Sequence, residues 1–123
     1  MEIKEILKSK LAEYGQEESI CTRKDLDNEW EKYAAFGETK AAKADDLWIR
    51  SRLLTLGRIV EEDLVAHTYA LIINIGNAFP DEGFAVIMRE DNKLSIAAYA
   101  KDKFFQKGTS KKAVDQIIQK FNK

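Results

Sequence analysis

The sequence predicts an α+β fold in a single domain, residues 1–123. Two observations support this prediction: several segments place apolar residues at helical spacing, and one segment alternates apolar residues around a polar turn. The predicted order is about four N-terminal helices, a β-hairpin (83–100) and a C-terminal amphipathic helix (110–122). A chain of 123 residues is long enough to bury one ordinary core.

Each of the first two helices has an apolar stripe. Residues 2–14 carry apolar side chains at helical spacing and stop before Gly15. Residues 23–36 begin directly after Thr22, which is followed three residues later by Asp25. This spacing is typical of a capping box, in which each side chain accepts from the backbone N–H of the other residue. Both segments are therefore predicted to be helices.

The third and fourth predicted helices are less regular. The third ends near Gly57, and apolar residues lie on two of its faces, which indicates a central helix or one partly covered by a partner. The fourth spans residues 64–75, after the acidic Glu61–Asp63, which suit a helix N-terminus. The sequence LIINI within it also fits a buried strand, but the length of the segment favours a helix.

The hairpin and the last helix complete the predicted fold. Residues 83–90 and 93–100 read as two strands around Asp91 and Asn92, with apolar residues on both faces. Helices are expected to cover one face, and a second copy of the chain could hide the other. Residues 110–122 have apolar side chains at i, i+3, i+4 and i+7, which predicts the clearest amphipathic helix in the chain.

Charge is unevenly distributed along the sequence. Residues 101–123 carry a charge of +5 and residues 1–100 carry −6, so an acidic body ends in a basic segment. A candidate binding site lies in that segment. Its residues are Lys101, Lys103, Phe104, Phe105, Lys107, Thr109, Ser110, Lys111 and Lys112.

The lysines at the start of the last helix suggest an anion. Thr109 or Ser110 is the predicted N-cap, so Lys111 and Lys112 fall in the first turn, where the helix dipole disfavours cations. A bound phosphate would reverse that effect, and aromatic rings among lysines are typical of grooves for single-stranded nucleic acid. The alternative is a solvated helix end, because the segment has no arginine and does not match a P-loop.

Catalytic and metal-binding groups are sparse. His67 is the single histidine, and on a helix it would lie one turn after Asp63, a pair that suits a general base. Cys21 precedes a predicted helix start and could be a reactive thiol or a small buried residue. One cysteine and one histidine do not match a zinc site. No metal, no cofactor and no catalytic residue is predicted, and an enzyme is the less favoured class.

Composition suggests a soluble cytoplasmic protein. One cysteine cannot form an internal disulfide, no signal peptide is evident, and no apolar run is long enough to cross a membrane. The leading hypothesis is a small non-enzymatic interaction or regulatory protein. It would bind a protein partner or a second copy, and its acidic body could act as an inhibitor or decoy. The alternatives are nucleic-acid or phosphate binding through the lysines, and an enzyme that uses His67.

Overall fold

One five-stranded antiparallel sheet separates two helical layers in the computed structural model, which describes residues 2–27, 30–40, 45–76, 81–101 and 108–122. The strands are β1 (Ala34–Lys40), β2 (Gly57–Asp63), β3 (Thr68–Ile75), β4 (Asp81–Glu90) and β5 (Lys93–Tyr99), in the spatial order β1-β5-β4-β3-β2. The α-helices are α1 (Ile3–Lys10), α2 (Arg23–Asp27), α3 (Asp46–Leu53) and α4 (Thr109–Phe121). A π-helical segment, Leu11–Gly15, continues α1, and a 3-10 turn, Trp30–Tyr33, precedes β1. The protein is therefore α+β.

The predicted arrangement of about four N-terminal helices followed by an isolated hairpin is wrong. The described helices are distributed along the chain, and the hairpin of β4 and β5 belongs to a larger sheet. Residues 34–36 and 68–75, which were predicted to be helical, lie in β1 and β3 instead. The last helix does form, over Thr109–Phe121, one residue away from its predicted position.

β3 is a strand because the sheet buries it on both faces. Seven of its eight residues are buried, and Asn74 alone in the strand is exposed. A strand between two helical layers is apolar on both faces, so period-2 alternation does not reveal it. The predicted helix also fails at its start, where the Asp63 carboxylate accepts from the backbone N–H groups of Val65 and Ala66, each at 3.0 Å, and forms a turn.

The helix predicted at 23–36 is replaced by α2, the 3-10 turn Trp30–Tyr33 and the first three residues of β1. The capping box of Thr22 and Asp25 is confirmed, with reciprocal hydrogen bonds of 2.8 and 3.1 Å. The helix it starts, α2, has only five residues. β1 pairs with β5 over all seven of its residues, and α4 lies so close to Gly37 that a Cβ atom there would be 2.7 Å from Val114 Cγ1. Pairing and packing thus override the local helix signal.

The core consists of two clusters, one on each face of the sheet. α3 and α4 cover one face, where Ile49, Leu53 and Ile117 are fully buried. α1, its continuation and α2 cover the other, where Leu7 and Leu11 are fully buried. Helices of the same chain therefore cover both faces of the hairpin, including the face that a second copy was expected to cover. Among the described residues, no helix is long and apolar enough to cross a membrane.

Gly57 pairs with Ile73 at the start of β2, where the backbone of β3 leaves no room for a side chain, so we predict that Gly57→Ala destabilises the fold. A Cβ atom there would be 2.0 Å from the Ile72 carbonyl oxygen, which cannot move without separating the strands. We expect the free energy of unfolding to fall by about 3 kcal/mol, measured by urea unfolding with circular dichroism. Gly108→Ala is the control, because its φ of 70° disfavours alanine although no described atom lies within 4 Å. Its expected loss is about 1 kcal/mol, and equal losses in the two variants would contradict the prediction.

Candidate functional site

The predicted lysine-rich site is described only in part. Lys103, Phe104, Phe105 and Lys107 lie outside the described residues. Lys101 is exposed, and its ammonium group lies 2.9 Å from the carboxylate of Asp25 in α2. That contact is the main cause that lowers the pKa of Asp25, so Lys101 is already engaged by an internal acid.

The N-terminus of α4 differs from its predicted form. Gly108, in a left-handed conformation, is the N-cap, so the predicted side-chain cap by Thr109 or Ser110 is wrong. Both of those residues are buried, and Lys111 and Lys112 are exposed in the first turn. The anion or nucleic-acid site at these residues stays a prediction.

His67 lies in the β2–β3 turn and not on a helix. Its backbone is left-handed, with φ 54°, and the predicted helical pairing with Asp63 is wrong because Asp63 holds the turn instead. The carboxylate beside His67 is Asp46, the first residue of α3, whose Oδ1 lies 3.3 Å from His67 Nδ1. The turn is thereby joined to α3.

Tyr69 and Arg89 complete this polar cluster. The Tyr69 hydroxyl donates to Asp46 Oδ1, a hydrogen bond that is the main cause lowering the pKa of Asp46, while burial and the same carboxylate raise the pKa of Tyr69. One guanidinium nitrogen of Arg89 lies 3.0 Å from His67 Nδ1 and 3.5 Å from His67 Nε2. The backbone N–H of Arg89 also donates to the His67 carbonyl at 2.9 Å.

This geometry favours positioning over proton transfer. One nitrogen of Arg89, a permanent cation, lies within 3.5 Å of both ring nitrogens of His67, and His67 Nδ1 also faces the Asp46 carboxylate, so protein groups already contact the imidazole. The four side chains hold the β2–β3 turn against the start of α3. Use of His67 in an enzyme stays a prediction that this arrangement does not favour.

Exposed apolar side chains lie in this turn and at both ends of α3. Five large apolar residues are exposed in the described chain, and four of them form what we call the α3–turn surface: Leu47, Leu54, Leu64 and Val65. Leu47 lies on α3 and Leu54 is the residue that caps its C-terminus, and Leu64 and Val65 lie in the turn that Asp46 and His67 join to α3. The fifth, Phe36, lies on β1. The sequence indicated an apolar second face on the third helix but gave no signal for the turn.

The other candidate residues have structural surroundings. Cys21 is buried in the α1 layer, where desolvation raises the pKa of its thiol, and it lies on the face of the sheet opposite Tyr69 and α3. Trp30 is buried in the same layer. Trp48 packs edge-on against Phe121 with ring centroids 5.3 Å apart. The structure thus does not bring Cys21 and His67 together.

Few groups are arranged to hold a ligand. Within the described ranges, no three side chains of His, Cys, Asp or Glu converge in a way that could hold a metal ion. A cavity of about 710 Å³ lies beside β1 and is lined by Ile3, Phe36 and Met88 together with Glu2, Glu5 and Glu90. It is open and shallow between α1 and the sheet, which suits a side chain of another protein better than an enclosed small molecule.

The lowered pKa of Asp46 predicts a pH dependence of stability. Since the unfolded state binds more protons in acid, the contribution of Asp46 is complete above its unfolded pKa of about 3.9 and is lost as the pH falls through the lower folded pKa. Asp46→Asn removes this titration while keeping an oxygen that accepts from Tyr69. We expect the free energy of unfolding to fall less steeply with acid in the variant, measured by urea unfolding between about pH 5 and pH 2.

Tyr69→Phe is the matched variant for this prediction, because it removes the donor that contributes most to the pKa shift of Asp46. It should flatten the acid dependence in the same sense as Asp46→Asn. Curves parallel to that of the wild type in both variants would show that the cluster does not stabilise the ionised carboxylate.

Comparison with known proteins adds no functional information. No family model matches the chain, and no curated protein and no solved structure is significantly similar to it. The polar cluster, the α3–turn surface and the edges of the sheet are therefore the features that bear on function.

Proposed function

We propose that the protein is a non-enzymatic interaction protein that binds another protein through the α3–turn surface. The observation that carries the proposal is the concentration of exposed apolar side chains there, four of the five in the described chain. Several exposed large apolar side chains on neighbouring elements of a small domain are typical of a site that another protein covers.

The outward face of α3 supplies two anchors. Ile49 and Leu53 point into the core, whereas Leu47 and Leu54, seven residues apart, are 76% and 55% exposed. A surface helix ordinarily carries polar side chains on this face. Full burial of a leucine contributes about 1.5–3 kcal/mol, so two such residues suit the centre of an interface.

The turn adds a presented residue at low entropic cost. Val65 is 94% exposed at its tip. Its backbone N–H donates to Asp63, and the following His67 contacts Asp46 and Arg89, so the turn is held before any partner binds. A preorganised loop loses less conformational entropy on binding, and more of the contact energy remains as affinity.

The charge around the surface indicates the chemistry of the partner. Asp45 at the start of α3 and Asp63 before the turn are exposed acids, whereas Glu61 and Glu62 pair with Lys10 and Arg50. A partner with an apolar patch rimmed by lysine or arginine would match both features. An acidic protein that occupies such a patch would serve as a regulatory or decoy-type binder.

Site-specific photocross-linking tests the surface. A photoreactive amino acid at Leu47 or Val65 of the full chain should yield one discrete cross-linked protein in cells of the source organism. The same group at Lys8, exposed on α1 in the opposite layer, should not yield it. The captured protein, once purified, should bind the wild type directly.

The direct binding assay carries the decisive comparison. Leu47→Ser combined with Val65→Ser should weaken binding by at least about tenfold without loss of stability, because both side chains are already exposed. Phe36→Ser is the control, since it removes the exposed apolar residue outside the α3–turn surface. Equal weakening by the control, or the same cross-link from Lys8, would contradict the proposal.

A further inference from the structure

The two edges of the sheet differ in how they are protected. β2, at one edge, has a register shift between Ile59 and Glu61, and its Arg58 forms an ion pair with Glu18. A bulge is one of the devices that prevent a further strand from pairing at a sheet edge. β1, at the other edge, pairs with β5 without any register shift over its seven residues and exposes Phe36. Its outer backbone is therefore suited to continued pairing.

Two exposed charges of opposite sign, Glu38 and Lys40, lie on the edge strand β1. Phe36, Glu38 and Lys40 are exposed and share one face of the strand, since alternate residues point the same way. Charges of one sign on an edge strand would repel the same charges on a second copy of that strand. Opposite charges two residues apart are different. When two copies pair antiparallel about a two-fold axis at the residue between them, each charge lies opposite the charge of opposite sign in the other copy.

We propose that a second copy of this chain pairs with the C-terminal end of β1, Glu38–Lys40, antiparallel about a two-fold axis at Thr39. Glu38 of each copy then lies directly opposite Lys40 of the other, and the two Thr39 residues face each other. Such an interface is isologous, so each favourable pair occurs twice. Opposite-charge pairs and threonine pairs are both favourable across antiparallel strands.

The cavity beside β1 supports the same register. The row of residues across the sheet at Glu38 continues through Ser95 to Met88, which line this cavity. A residue opposite Glu38 on an added strand lies about 10 Å from β5, at strand spacings of about 4.8 Å, so only a long side chain reaches the cavity. Lys40 of the second copy has that length, and Phe36, diagonal to it, offers an apolar surface for its methylene groups.

The cavity also has the charge that a lysine requires. Three carboxylates line it, those of Glu2, Glu5 and Glu90, and its own lysine, Lys4, lies 2.7 Å from Glu31. An added ammonium group therefore meets more acidic than basic neighbours there. This interface is independent of the α3–turn surface, because β1 and β2 lie at opposite edges.

Charge reversal tested by sedimentation velocity distinguishes this interface from any other. The wild-type chain should show a monomer–dimer equilibrium over about a hundredfold range of concentration. Glu38→Lys and Lys40→Glu should each weaken the dimer by at least about tenfold, since each places like charges opposite one another twice. An equimolar mixture of the two variants should restore dimers, because each lysine then faces a glutamate. The double variant, Glu38→Lys with Lys40→Glu, should also dimerise.

Three controls keep the result decisive. Glu38 also lies 3.2 Å from Lys93 in its own sheet, so thermal unfolding of each variant checks that the monomer stays folded. Val65→Lys, a charge added on the α3–turn surface, should leave the dimer unchanged. A wild-type chain that stays monomeric, a mixture that fails to restore dimers, or a dimer lost with Val65→Lys would each overturn the proposal. The last outcome alone would leave the α3–turn surface as a contact site.

Discussion

The central strands β3, β4 and β5 bury side chains on both faces of the sheet, so the chain needs a helical layer on each side. α1 and its continuation supply one layer, and α3 and α4 supply the other. β1, next to β5, and β2, next to β3, are left as the two edges of the sheet. The position of α3 follows from this arrangement, since the chain must cross from β1 at one edge to β2 at the other. The surfaces that remain available for binding are the edges of the sheet and the outward side of the helices.

Local signals predicted the elements that local interactions determine. The capping box at Thr22 and the apolar stripe of α4 depend on residues within one or two turns, and both form. β1 and β3 depend on distant strands instead. A strand buried on both faces lacks alternation, so the apolar residues of β3 fitted a helix equally well, and the turn at Asp63 that excludes a helix depends on one side chain.

The polar cluster could not be predicted because the sheet register assembles it. Asp46 lies 21 residues from His67 and 23 from Tyr69, and Arg89 reaches His67 through the pairing of β3 with β4. Reading residues 64–75 as helical gave His67 the wrong carboxylate. The apolar second face of α3 was visible in the sequence, whereas the exposure of Leu64 and Val65 depends on the turn that the cluster holds. The lysines at α4 remain a sequence-based prediction.

The difference between the two edges connects the two proposed surfaces. α3 begins beside the β2–β3 turn, so the α3–turn surface lies toward the β2 side of the sheet, away from β1. A dimer joined at β1 would form one continuous sheet and carry an α3–turn surface toward each outer end. Two such surfaces on a common rigid support bind a partner with repeated sites more tightly than one, because the second contact forms at high effective concentration. The register shift in β2 disfavours pairing at that edge, where a second copy would extend the sheet past the proposed α3–turn surface and obstruct it. Pairing at β1 leaves the α3–turn surface of both copies accessible.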